Sequence, residues 1–115
     1  MNQKISVSTA EHYTWGNKCD AWHFLKSEDL SVIKEKMPPG TSEKMHYHTK
    51  SEQFFFVLSG TASFEIGNDA ILVEPNEGIQ VTPGLNHKIS NQAKTDLEFI
   101  VISRPPSHGD RIDID

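Results

Sequence analysis

The sequence predicts an all-β domain, a barrel or sandwich of short strands. Three observations carry this. Short runs of apolar and β-branched residues recur at regular spacing along the chain, the pattern of strands that show one face to a core. Turn-forming clusters separate them: Pro38-Pro39-Gly40, Ser59-Gly60, Gly67-Asn68-Asp69, Pro75-Asn76-Glu77-Gly78 and Pro83-Gly84. The chain has 115 residues, enough for one domain with a modest core and too few for two.

Taken in order, the first strands are expected over residues 4–8, 21–26 and 30–37. The next four run over 52–58, 62–66, 70–74 and 79–82, and the last two over 87–91 and 97–103. Gly67-Asn68 suits a tight hairpin. The segment from Arg104 onward, with Pro105-Pro106-Ser107-His108-Gly109, reads as an extended strap rather than a strand. Phe54-Phe55-Phe56-Val57-Leu58 is an unbroken apolar run. A strand with one wet face would alternate, so both faces of this one need cover: one lines the interior, and the other needs a packing sheet, the N-terminal segment or a second subunit.

Composition narrows the function classes. A net charge of −5 with no basic cluster argues against nucleic acid. No apolar run is long enough to span a membrane. The start, Met1-Asn2-Gln3-Lys4-Ile5-Ser6-Val7, lacks the apolar core of a signal peptide. Cys19 stands alone, so no intrachain disulfide forms, which fits a cytoplasmic protein.

The chemistry is concentrated in two places. His46-Tyr47-His48 lies between strand-like runs, and in a strand residues two apart point the same way. Both imidazoles therefore aim at one point. Downstream, Thr82-Pro83-Gly84-Leu85-Asn86-His87 offers a third imidazole just after a tight turn. Three imidazoles and one oxygen donor suit Zn, Fe, Mn, Ni or Cu better than Mg or Ca.

These residues resemble the two motifs of the cupin superfamily. The first, G-x5-H-x-H-x3,4-E-x6-G, is matched by Gly40, His46, His48 and Gly60. The second, G-x5-P-x-G-x2-H-x3-N, is matched by Gly84, His87 and Asn91. The resemblance implies a double-stranded β-helix barrel, jelly-roll-like, over residues 30–103. Residues 1–29 would be strands packing on it and residues 104–115 an extended tail. It also implies a divalent transition metal, a small-molecule ligand and a homodimer. Because this barrel hosts many chemistries, the resemblance does not fix the reaction.

Two departures matter. Counting back from Gly60 puts Gln53 where the family carries its acidic ligand, whereas counting on from His48 gives Glu52. A regular strand sends the two to opposite faces, and Gln53 is then the ligand; a bulge would exchange them. In the second motif, Asn76 and Thr82 replace the leading Gly and the Pro. The expected ligand set is thus His46, His48, His87 and Gln53.

A neutral Gln leaves a divalent ion its full charge and makes it a stronger Lewis acid. Glu35 alternates with Ile33 and Met37. It either faces the barrel interior, as a candidate proton-transfer group, or belongs to the charged run Lys34-Glu35-Lys36 on a solvated edge. His12, His23 and His108 read as ordinary surface or core residues. Two functions stand at this point. One is a metal-dependent enzyme of isomerase or dioxygenase type acting on a small polar molecule. The other is a non-catalytic module that binds or senses one. The only arginines, Arg104 and Arg111, make no phosphate cluster.

Overall fold

The computed structural model describes residues 3–114. Eleven strands form two antiparallel sheets, and no helix occurs among the described residues. In chain order they are β1 (Glu11–Trp15), β2 (Cys19–Lys26), β3 (Ser31–Met37), β4 (His46–Tyr47), β5 (Glu52–Ser59) and β6 (Ala62–Ile66). β7 (Asp69–Val73), β8 (Gly78–Val81), β9 (His87–Ser90), β10 (Leu97–Arg104) and β11 (Ile112–Asp113) complete the set. One sheet has the order β1-β2-β3-β10-β5-β8 and the other β11-β4-β9-β6-β7. The fold is the double-stranded β-helix.

The inner faces meet in one core. Phe55, Phe64 and Phe99 are its largest members, with Met37, Val57, Ile89 and Leu97 filling between them. The Phe55 ring centroid lies 5.1 Å from that of Phe64 and 5.8 Å from that of Phe99, spacings at which aromatic pairs attract. The β5 run splits by alternation: Phe55 and Val57 are buried, while Phe54 and Leu58 remain 41% and 40% exposed on the outer face. Nothing among the described residues covers that outer face fully.

Turn chemistry explains the connections. Gly67, at φ 59°, is the first residue of the two-residue β6–β7 loop, where the turn requires a positive φ. Gly60 is fixed by space as well, because a Cβ there would lie 2.5 Å from the Asp96 carbonyl oxygen. Asn91 is buried, donates to the Met37 and Thr95 carbonyls at 2.8 and 2.9 Å, and accepts from the Ala93 amide. It ties the end of β9 to the end of β3.

The structure corrects three sequence expectations. Residues 4–8 form no strand; the Thr9 hydroxyl accepts from the Ser6 amide and the Thr9 and Ala10 amides bond the Ser6 carbonyl, making a turn. Ser and Thr side chains compete with strand pairing in this way. The first strand is instead Glu11–Trp15, which the sequence reading left out. The strap after Arg104 is also not wholly extended coil, since Ile112 and Asp113 pair with Tyr47 and His46 as β11 on β4.

Candidate metal centre

β4 supplies His46 and, just past its end, His48. β9 opens with His87, paired directly opposite His46. All three imidazoles are buried, and their ligating nitrogens lie within 4.8 Å of one another. Each ring also has a fixed role for its outer nitrogen. Nδ1 of His46 donates to the Lys44 carbonyl at 2.7 Å, Nδ1 of His87 to the Leu85 carbonyl at 2.9 Å, and Nδ1 of His48 to the Asp110 carbonyl at 2.5 Å. A carbonyl can only accept, so each Nδ1 carries the proton and each Nε2 presents a lone pair. This is how metal-binding histidines are held by their outer partners.

Nε2 of His48 is buried without a hydrogen bond. Nε2 of His87 faces Oε1 of Gln53 at 3.2 Å, while the Gln53 amide nitrogen donates to the Ser103 hydroxyl at 3.0 Å. The Gln53 side chain thus sits beside the His87 ring, so one amide and three imidazoles converge as metal donors do. The residues therefore fit a divalent transition metal on donor chemistry alone. Burial lowers the pKa of His46 to about 4 and lowers that of His87, the carbonyl bonds opposing it only in part. Both stay neutral, as ligands must be.

Glu52 lies on the opposite face of β5. It is ion-paired with Arg104 at 3.0 Å and accepts from the Gln80 amide. The β5–β10 register is regular here, Gln53 opposite Ser103 and Glu52 opposite Arg104. The bulge in this pair of strands sits at the far end, next to Phe99.

His46, His48 and Gln53 open onto a cavity of about 260 Å³. Glu35 lines it, beside Ile33, at a register position between Ala21 of β2 and Phe99 of β10. Burial pushes its pKa up to about 8, and the neighbouring Glu43 carboxyl adds to the effect. The Trp15 indole N–H is close enough to favour the charged form slightly, yet it completes no hydrogen bond. Ile33, Phe55 and Val101 make the apolar wall.

Four contributors were not found from the sequence. Glu43 lines the same cavity; its Oε1 accepts from the Ile89 amide at 3.1 Å and its Oε2 lies 3.8 Å from Arg111. Burial raises it to about 7, with Arg111 working against the rise. Tyr13 lines the wall opposite, raised to about 12 by burial and so a neutral phenol. The strap brings His108 and Arg111 to the cavity. The His108 ring lies 5.4 Å from that of His23 and 5.9 Å from that of Tyr13. His108 is thus part of the rim rather than an isolated surface residue, and the buried His23 stands behind it. His12 pairs with Asp20 at 2.8 Å, on the outside of the molecule.

With this geometry in hand, the comparisons with known proteins fall into place. The Cupin domain family profile matches residues 33–103, and the chain belongs to that family. An uncharacterized protein of Methanocaldococcus jannaschii is 30% identical over 89 residues, 76% of this chain and 71% of that one. The oxalate-binding protein of Thermotoga maritima is 28% identical over 85 residues, 70% of each chain. Among solved structures, the polyketide cyclase RemF of Streptomyces resistomycificus superposes with a TM-score of 0.81 at 16% identity, covering all of this chain and 87% of its own. At that identity the likeness shows the fold alone. Among the described residues no helix is long and apolar enough to cross a membrane.

Proposed function

We propose that this protein is a metal-dependent enzyme that moves a proton on a small, oxygen-rich molecule, an isomerisation-type reaction. The observation that carries it is the placement of Glu35, a sheltered carboxyl in the cavity lined by His46, His48 and Gln53 of the cluster. His46, His48, His87 and Gln53 would hold the ion, which supplies a Lewis acid for a carbonyl or carboxylate oxygen. Glu35 has a pKa near the working range, where a group both takes and returns a proton. The wall of Ile33, Phe55 and Val101 limits water around it. Tyr13 and Arg111 stand where they can orient the polar part of a bound molecule. Dioxygenation would require a redox-active ion, and this donor set admits redox-active and redox-inert ions alike. The preference for proton transfer rests on Glu35.

A second reading, a non-catalytic binding module, is favoured by one finding: the relative from Thermotoga maritima is named an oxalate-binding protein. One experiment separates the two. Metal content of the purified chain is measured, and turnover is screened over sugars, sugar acids, flavonoids, thiols and small dicarboxylates, with Glu35→Gln as the paired variant. Turnover that disappears in Glu35→Gln while metal content stays constant supports the enzyme. Full activity in that variant removes Glu35 from the chemistry, and saturable binding without turnover establishes the module.

The assembly belongs to the same proposal. The exposed Phe54 and Leu58 on the outer face of β5 support a homodimer through that face. Cys19 is fully buried and unpaired, which supports a reducing, cytoplasmic setting.

A further inference from the structure

The strap does more than pass the cavity. Asp110 sits intermediate in burial at the point where the strap crosses the loop after β4. Its Oδ1 accepts from the Thr49 amide at 2.8 Å and the Thr49 hydroxyl at 2.6 Å. Its Oδ2 accepts from the Lys50 and Ser51 amides, both at 2.9 Å. One carboxylate thus gathers three successive amides of the loop that follows His48. The backbone carbonyl of the same residue accepts the His48 Nδ1 proton. Both halves of Asp110 therefore act on one short segment: the side chain fixes the loop and the carbonyl fixes the ring.

β4 needs this support. It is two residues long and pairs with β9 at a single position, His46 with His87. Its other neighbour is the strap, through Ile112 opposite Tyr47 and Asp113 opposite His46. The Ile114 amide also bonds the Met45 carbonyl at 2.8 Å, and the Ser51 hydroxyl donates to the Pro105 carbonyl at 2.6 Å. With the strap lifted, the segment carrying two of the imidazoles would keep its one pairing to β9 and the bond from the Gly84 amide to the His48 carbonyl at 2.7 Å, and the His48 ring would lose the partner that orients it.

We propose that residues 105–114 form a clasp whose closure is coupled to occupancy of the three-histidine site by a divalent transition-metal ion, with Asp110 as the positioning residue that joins the two. The proposal rests on the reading of that site as a metal centre. Coupling of this kind is reciprocal. The factor by which an open strap weakens ion binding equals the factor by which a bound ion suppresses strap opening.

The test uses the full-length chain with Zn²⁺ as the probe. Zn²⁺ affinity is measured for the wild type, Asp110→Ala, Asp110→Asn and Thr49→Val. Hydrogen exchange of the strap amides is followed with and without Zn²⁺, and circular dichroism checks the fold. Loss of an outer partner of a metal ligand weakens binding by about 10- to 100-fold; Asp110→Ala keeps the carbonyl but releases the loop that holds it against His48, and is expected near the lower end of that range. Asp110→Asn should fall between Ala and wild type, and Thr49→Val, which removes one hydroxyl bond and keeps the amides, closer to wild type. Zn²⁺ should slow exchange of the wild-type strap by a factor comparable to the affinity lost in Asp110→Ala. An Asp110→Ala chain that binds Zn²⁺ as the wild type does overturns the clasp. So does a strap whose exchange ignores Zn²⁺, because Asp110 would then serve the fold alone. If Asp110→Ala does not fold, the graded pair Asp110→Asn and Thr49→Val decides on the same readouts. A wild type that binds no Zn²⁺ removes the metal reading and the clasp together, an outcome distinct from equal binding by wild type and variant.

Discussion

Replacing Glu35 with Gln should change how the metal-free protein's stability depends on pH. Folding moves the Glu35 pKa from 4.5 to about 8. The folded state therefore holds this proton more tightly than the unfolded chain does. Stability from this group is full below about 4.5 and is lost as pH rises towards about 8, because the carboxylate must then form in a poorly solvated place. At roughly 1.4 kcal/mol per pKa unit the displacement corresponds to about 5 kcal/mol. That is a ceiling, since Glu35 keeps some contact with the cavity and water there softens the penalty; about 2–3 kcal/mol is the expected size. Gln keeps the shape and a hydrogen-bonding end but cannot ionise. Urea denaturation of metal-free wild type and variant, from pH 4.5 to pH 8.5, is the assay, with unchanged m-values as the check on two-state behaviour. The two proteins should be nearly equal at the acid end, and the variant should gain steadily as pH rises. Glu43 titrates in both and cancels to first order. Curves that run parallel over the whole range would refute the burial of the Glu35 carboxyl and its candidacy as a proton-transfer group.

Four further outcomes are expected. Gln53→Ala should weaken Zn²⁺ binding more than Glu52→Ala, because Gln53 faces His87 while Glu52 is held outside by Arg104 and Gln80; the reverse order in a calorimetric titration would assign the oxygen ligand to Glu52. Gln53→Glu should still take up the ion. His46 and His48 changed together to Ala should abolish metal uptake and keep the β-sheet circular dichroism, and unchanged metal content would end the three-histidine reading. Light scattering at micromolar concentration should give a dimer mass that Phe54→Glu converts to a monomer mass, and a wild-type monomer would contradict the role given to the outer face of β5.

Much of the fold was legible because its signals are local. Residues 62–66 were expected as a strand and are one, and the expected strands from 21–26 onward lie within two residues of those found. The turns announced them, and alternation within Phe54-Phe55-Phe56-Val57-Leu58 separates core from outer face in the structure. β1 was missed for want of an apolar run. Its inward residues are Tyr13 and Trp15, and the residues between them are polar. Alternation of aromatic with polar is the signal β1 carries, whereas the apolar Ile5 and Val7 are exposed and pair with nothing in a sheet.

The site divides along the same line. The His-x-His pair is visible because two side chains two apart on one strand must share a face, and nothing distant is needed to see it. Glu43 and Asp110 owe their positions to partners far along the chain: the Ile89 amide for one, the Thr49–Ser51 amides and His48 for the other. No spacing rule reports a carboxylate that acts on backbone some sixty residues away. A sequence can show which side chains are able to bind a metal and remain silent on what keeps their lone pairs aimed. Here that task falls to three backbone carbonyls, and the one on His48 belongs to a segment with few side chains that draw attention. The strap would accordingly tolerate changes at Ile112, which is exposed and pairs through its backbone, far better than any change that unseats Asp110. Ile112→Thr should therefore leave Zn²⁺ affinity near that of the wild type under conditions where Asp110→Ala loses it. Equal losses in the two variants would place the holding force in the β4–β11 pairing rather than in the Asp110 carboxylate.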